Sequence, residues 1–170
     1  NIVYASKGLA QRLQAEGKLS PADVILTVDI GRLHIYADKG LLAPIDSSIL
    51  KKNIPVHLRD PDNQWFAFSK RARVIVVSNR TGPHKSIQTY EELSEPSWRG
   101  RICLRPGSHV YNRALVASFI SAIGPDATET WAKGLIANLA RRPQGNDRAQ
   151  VKAIYEGVCD ISLINNYYYN

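Results

Sequence analysis

The sequence contains no methionine, two cysteines and four histidines, and no apolar run approaches the ~20 residues that a membrane span requires. That last absence excludes a transmembrane helix. No basic leader followed by an apolar stretch opens the chain, as expected of a mature or trimmed sequence, and the missing methionine fits a chain without its initiator residue. Two cysteines allow one disulfide at most, a bond favoured by an oxidising compartment. His34, His57, His84 and His109 form no helical pair, and only His109 lies near the residues singled out below, as a loop residue rather than a ligand. There is no Gly-x-Ser-x-Gly, no P-loop and no paired His/Glu metal spacing, so the expectation is a binding protein and not an enzyme. The charge of +7 lacks clusters: residues 70–73 and Arg141-Arg142 are the only dense basic spots. A solvated basic surface accounts for it better than nucleic-acid binding, for which basic residues would be interleaved with aromatics.

What is present is an ordinary hydrophobic fraction of 44%, enough for a real core, and a run of tyrosines in an unusual place. Residues 158–164, VCDISLI, are short, apolar and β-rich, as in a buried parallel strand. The polar pair Asn165-Asn166 follows, and then Tyr167, Tyr168 and Tyr169. A second short strand over 101–104 runs through a loop into a helix that carries Tyr111 near its start. Cys103 lies eight residues before Tyr111, and Cys159 lies eight before Tyr167. If the two strands are parallel neighbours in similar register, Cys103 and Cys159 meet within the sheet and form a disulfide. The tyrosines then converge at its carboxyl end, where open α/β sheets place ligands.

Converging phenols suit a hard, highly charged cation. A phenol ordinarily deprotonates near ~10, so a phenolate at neutral pH needs strong positive charge beside it. Oxygen donors match hard ions such as Fe(III). The alternative is that the tyrosines form an aromatic rim of the core. Residues on a strand alternate sides, so Tyr167 and Tyr168 can share a ligand only if the strand breaks, and Asn165-Asn166 is where the break is expected. Tyr169 is then turned away.

Along the chain, Ser6 caps a helix over 7–16 that Gly17 stops. Residues 22–28 form an apolar strand, and Asp29 caps a helix over 31–39, a simpler role for it than metal ligation. Residues 60–63 form a turn, 65–68 a strand, and 74–77 a β-branched strand. Thr89 and Glu92 have the spacing of a capping box. The helix over 110–123 presents Leu115, Val116, Phe119, Ile120 and Ile123 as an apolar face, and the helix over 126–138 turns Trp131 and Leu135 inward. Residues 139–143 are a strand or an extended connection. Asn146 or Asp147 caps a helix over 148–155. The sequence from 101 to 164 thus reads as a βαβαβ unit with its first and third strands adjacent at the switch point. Ser108 and Asn112 sit where a helix start favours an anion, although Ser108 serves equally as a plain cap; Asn146 could also donate to an anion, with capping the simpler role.

The stretches ADVILTVDIGRL (22–33), WFAFSKRARV (65–74), WRGR (98–101), SHVYN (108–112), PQGND (143–147) and NNYY (165–168) resemble the periplasmic ferric-iron-binding proteins. These are the substrate-binding components of bacterial iron(III) ABC importers, in the branch with an extra tyrosine ligand. The resemblance covers essentially the whole chain. It implies an α/β, type II periplasmic-binding-protein-like fold of two lobes with doubly wound sheets, incomplete at both ends. Residues 1–73 would belong to the first lobe, 74–79 to a crossover strand and hinge, and 80–170 to the second lobe. It also implies Fe(III) held in an interlobe cleft by Tyr111, Tyr167 and Tyr168. Arg71 would balance charge there. From the residues themselves, Ser108, Asn112, Asn146 and Asn165 are the candidates to stand around the metal or a synergistic carbonate or phosphate. Family members begin with a strand carrying a further ligand and continue past the tyrosine pair, so the chain reads as an internal fragment lacking the first-lobe ligand. The implied protein is a monomer. It is periplasmic, or lipid-anchored outside the membrane of a Gram-positive cell, and delivers iron to an inner-membrane permease. The alternative is the same fold carrying an oxyanion or another small solute.

Overall fold

In the computed structural model, which describes residues 2–5, 8–80 and 87–168, the chain divides into two units, Asn1–Lys70 and Arg71–Asn170. The first unit is built from helices and extended connections. Helix α1 (Leu9–Glu16) buries Leu13 and ends at Gly17, whose positive φ of 54° suits glycine; the Ser6 cap falls outside the described residues. Helix α2 (Ile30–Asp38) buries Tyr36 and is capped by Asp29, which accepts from the Gly31 amide at 3.0 Å. The cap expected of Asp29 is therefore present. Asp60 accepts from the amides of Asp62 and Gln64, which closes the expected turn. Helix α3 (Ser48–Asn53), capped by Ser47, was not anticipated in that proline-bearing segment.

Two expected strands do not form. Residues 22–28 are extended but unpaired, and Val24 and Leu26 are 85% and 82% exposed. Residues 65–68 make only a single bridge, Phe66 to Arg59. In both cases the apolar residues are present, in a run at 22–28 and in alternation at 65–68, but no described segment supplies a neighbouring ladder. A strand is a pairing and not a local conformation.

The second unit contains the sheet. Strand β1 (Arg73–Val77) pairs antiparallel with β3 (Ile161–Asn165), and β2 (Ile102–Cys103) pairs parallel with β3 on its other side. Leu139 makes one parallel bridge to Ile102, so the 139–143 segment is a connection and not a strand. The expected adjacency of the first and third strands of the βαβαβ unit is present. Helix α4 (Val110–Ile123) and helix α5 (Pro125–Ala137) cover the sheet, with Trp131 stacked on Phe119 at 4.1 Å between ring centres. Leu93, Trp98, Ile102, Leu104, Leu135, Ile161 and Leu163 complete this core. The expected α4 face is too wide by one turn. Phe119 is buried, but Ile120 and Ile123 stay 47% and 41% exposed, because α5 leaves the helix at Gly124 and covers only one side. Trp131 and Leu135 point inward as expected. Gly134 lets α5 approach the 91–94 turn closely, where an added Cβ would sit 2.7 Å from that of Ser94. Of the Thr89–Glu92 capping box, the Glu92 half is made, its carboxylate accepting from the Thr89 amide.

Helix α6 (Asp147–Tyr155) is capped by Asn146, which accepts from the Ala149 amide at 3.1 Å. Cys159, just ahead of β3, is bonded to Cys103 with a Cα separation of 5.8 Å. The bond was expected, but its register was not. Cys103 stands opposite Ser162, three residues on from Cys159, so the bridge runs diagonally and clips the start of β3 to β2. It closes a separation of 56 residues. Its reduction should therefore destabilise the fold by about 2–4 kcal/mol. Urea unfolding with and without reductant measures this, and coincident midpoints would show that the bridge is idle.

Candidate metal centre

Three segments of the second unit bring the site residues together. Strand β1 is preceded by Arg71 and begins with Arg73. The loop after β2 carries Arg105 and leads into α4, whose second residue is Tyr111. Strand β3 ends at Asn165, and Asn166–Tyr168 form a tight 3₁₀ turn. The strand thus breaks at Asn165-Asn166, as the sequence suggested, because Asn166 folds back onto the chain ahead of β1. Its amide donates to the Ala72 carbonyl at 2.9 Å, and its side chain accepts from the Ala72 amide. That turn frees Tyr167 and Tyr168 from strand alternation, and their rings lie 4.6 Å apart.

The hydroxyls meet. Tyr111 and Tyr168 are both hydrogen-bonded to Tyr167, Arg71 donates to the Tyr111 hydroxyl at 2.8 Å, and the Asn165 side-chain amide donates to the Tyr167 hydroxyl at 2.9 Å. Burial alone would raise the Tyr167 phenol. The hydrogen bonds from Asn165, Tyr111 and Tyr168, with the charge of Arg71, more than offset this and leave it below the ordinary phenol value. Tyr111 and Tyr168 move the other way, through burial and their bonds to Tyr167. Tyr169 lies outside the described residues.

Beneath this cluster is a buried ionic network absent from the sequence reading. Asp147, fully buried at the first position of α6, accepts from Arg73 at 2.7 Å, from Arg105 at 2.9 Å and from the Asn165 amide at 2.9 Å. Arg73 also reaches the Asn165 side-chain oxygen at 3.0 Å, the Leu163 carbonyl at 2.6 Å and Asn112 at 3.3 Å. The guanidinium carbons of Arg105, Arg71 and Arg73 lie 5.1, 5.6 and 5.8 Å from the Tyr111 ring centre. Arg148 lies 5.8 Å over Tyr168. The basic segment 70–73 is therefore not simply a solvated surface: the Arg73 side chain is only 10% exposed. Charge type does not encode burial, and only the position of Arg73 ahead of a β-branched run hinted at it.

Other expected residues fall in differing places. Asn112 is buried, donating to the Arg105 and Pro106 carbonyls and accepting from Arg73, so it braces the network. Asn146 caps α6. Ser108 is exposed and does not cap α4. That position belongs to His109, whose Nδ1 accepts from the Tyr111 amide at 3.2 Å because the chain is still extended there. Among the described residues no group of three His, Cys, Asp or Glu could hold a metal. The clustered donors are phenol oxygens, and oxygen donors suit hard ions; the guanidinium groups beside them suit an anion.

The chain compares closely with known proteins. Residues 20–170 match the family model described as bacterial extracellular solute-binding protein. The chain is 48% identical over 160 residues to iron uptake protein A1 of Synechocystis sp., covering 94% of this chain and 44% of that protein. Its structure superposes on apo ferric ion-binding protein A of Pasteurella haemolytica with a TM-score of 0.92 at 48% identity, over 99% of this chain and 53% of the other. It also superposes on the Trichodesmium IdiA (FutA) protein in complex with iron and citrate, with a TM-score of 0.89 at 48% identity, over 94% of this chain and 51% of the other. The chain thus spans about half the length of the relatives it matches, and the α/β periplasmic-binding-protein-like architecture expected of it is borne out. On these matches and this fold, the chain belongs to the bacterial extracellular solute-binding protein family.

Proposed function

We propose that the protein binds ferric iron through the phenol oxygens of Tyr111, Tyr167 and Tyr168 and serves uptake through an ABC permease, without catalysis. The observation that carries this reading is the meeting of the three hydroxyls around Tyr167 beside Arg71. The names of the relatives, an iron uptake protein and ferric-binding proteins, support it. So does the disulfide, which fits an extracytoplasmic, periplasmic site of action. A small anion completes the metal's coordination beside the arginines. Carbonate and phosphate are candidates, and the citrate of the Trichodesmium relative adds a carboxylate. The protein acts as a monomer in this reading. A second reading, an oxyanion as the sole cargo, draws on the guanidinium groups around Tyr111.

Adding ferric ion to the complete protein separates the two. A red-orange phenolate-to-iron band is expected, and an oxyanion-only protein gives none. Arg71 sets the acid limit of retention. Its charge pulls the Tyr111 and Tyr167 phenols downward, so Arg71→Ala lets protons compete better with the metal. Release on acidification should begin at higher pH, with affinity reduced roughly tenfold, as for other residues bordering a metal's ligands. Unchanged retention between neutral and mildly acidic pH would make Arg71 a surface charge only.

A further inference from the structure

The hydrogen bonds around Tyr167 have a direction, and arginine fixes it. A guanidinium has donors and no acceptor. The atom of Asn165 that faces Arg73 at 3.0 Å is therefore its oxygen, and the remaining half of the amide, its NH₂, is the half turned to Tyr167 at 2.9 Å. On the other side Arg71 donates to the Tyr111 hydroxyl at 2.8 Å, beside Tyr167. The chain through Asn165 begins at Arg73 and ends on the Tyr167 oxygen.

The Asn165 side is anchored more firmly than the Arg71 side. Asp147 is fully buried and holds Arg73 with one oxygen and Arg105 with the other, while its Arg73-bound oxygen also takes the backbone N–H of Asn165. Asn165 is thus gripped at its amide nitrogen by Asp147 and at its side-chain oxygen by Arg73, leaving its NH₂ a single orientation. Arg71, by contrast, is exposed. Resting on the metal reading above, we infer that Asp147 and Arg73, acting through Asn165, are positioning residues that hold the Tyr167 oxygen at the centre of the tyrosine cluster. The Asn165 donor engages one lone pair of the Tyr167 oxygen and fixes where that oxygen stands, leaving its other side for an incoming cation, so this relay positions Tyr167 before the metal arrives.

Asn165→Asp tests the relay without removing its anchor. The aspartate still accepts from Arg73, and gains a charge in doing so, but it cannot donate to Tyr167 and sets a carboxylate against that oxygen. Asn165→Ala removes both bonds. The complete protein is loaded with ferric nitrilotriacetate and challenged with excess nitrilotriacetate, reading band position, retention and melting temperature. Asn165→Asp should lose iron retention by at least roughly tenfold and shift the phenolate band, since outer partners of a metal's ligands typically carry a 10–100-fold effect. Its melting temperature should stay close to that of the parent. Asn165→Ala should lose retention as well, with a smaller band shift. If both variants keep the parental band and retention while Tyr167→Phe loses them, the relay is structural and the metal reading stands. If the parent itself develops no band, the metal reading falls, and the relay with it. A loss of retention that only tracks a lowered melting temperature in both variants also overturns the inference.

Discussion

Tyr167→Phe should abolish most of the ferric–phenolate band of the complete protein and weaken iron retention on the order of a hundredfold or more, beyond what loss of an outer partner brings. The other two phenols and Asn165 all interact with this one oxygen, so its removal deletes a proposed ligand together with the group at the centre of the cluster. Tyr168→Phe should shift the band and weaken retention less. Its ring keeps packing on Tyr167 at 4.6 Å and near Arg148, but its phenol is held to its proton more tightly. Tyr111→Phe should fall between the two, because it leaves the Arg71 guanidinium without the hydroxyl it serves. Tyr169→Phe should leave the band intact. The measurement is a ferric titration followed in visible absorbance, with retention against a chelator. Equal bands in the Tyr111, Tyr167 and Tyr168 variants would reduce these tyrosines to packing and remove the iron assignment.

Asp147→Ala should be the most damaging single change for stability. It strands two guanidinium groups, Arg73 and Arg105, each with a side chain only 10% exposed. Breaking a buried ion pair by deleting one partner typically costs about 3–5 kcal/mol, because the remaining charge keeps its desolvation penalty. For a unit of this size each kcal/mol moves the melting temperature by about 4–8 °C, so a fall of roughly 12 °C or more is expected by calorimetry. Replacing the whole network with apolar residues is a different matter. Such triads can often be exchanged for hydrophobic side chains without loss of stability. The triple variant Arg73→Met, Arg105→Met, Asp147→Leu should therefore melt well above Asp147→Ala, yet bind iron poorly, since Asn165 loses its anchor and Tyr111 its neighbouring charge. A triple variant that retained iron like the parent would show that the network serves the fold alone. A melting temperature for Asp147→Ala within a few degrees of the parent would show that the buried arginines find other partners.

The parts of the site that were legible in the sequence are those with local signatures. A polar Asn-Asn step after an apolar β-rich run marks a strand that ends in a turn, and the turn duly releases Tyr167 and Tyr168. Two cysteines at matching offsets from tyrosines pointed to adjacent strands, and the adjacency exists even though the register differs by three residues. That miss has a plain cause: Tyr111 is reached through a loop and a helix turn, whereas Tyr167 follows its strand directly, so equal offsets in sequence do not mean equal heights in the sheet. Likewise Ser108 looked like the helix cap because serine is a common one, but the chain stays extended for one residue more and His109 takes the role.

The sequence by itself determined which chemistry the chain carries: phenol oxygens in place of thiolates or histidine pairs, one disulfide, and a βαβαβ unit whose outer strands are neighbours. The residue types and the two flanking strands follow from composition, periodicity and spacing, which act over a few residues at a time; the middle strand read over 139–143 does not form, because only Leu139 finds a partner there. Only the tertiary structure decided which side of α4 is covered, which apolar stretches find a strand to pair with, and which charges are buried. Arg73, Arg105, Asp147 and Asn165 come from four separate segments and share no local pattern. Their contact exists because β1 and the β2 loop converge on the end of β3 and the start of α6, where low polarisability makes each ionic and hydrogen-bonding direction matter more than in water. The direction of those bonds, ending on Tyr167, is a property of the assembled site and of no single stretch of the chain.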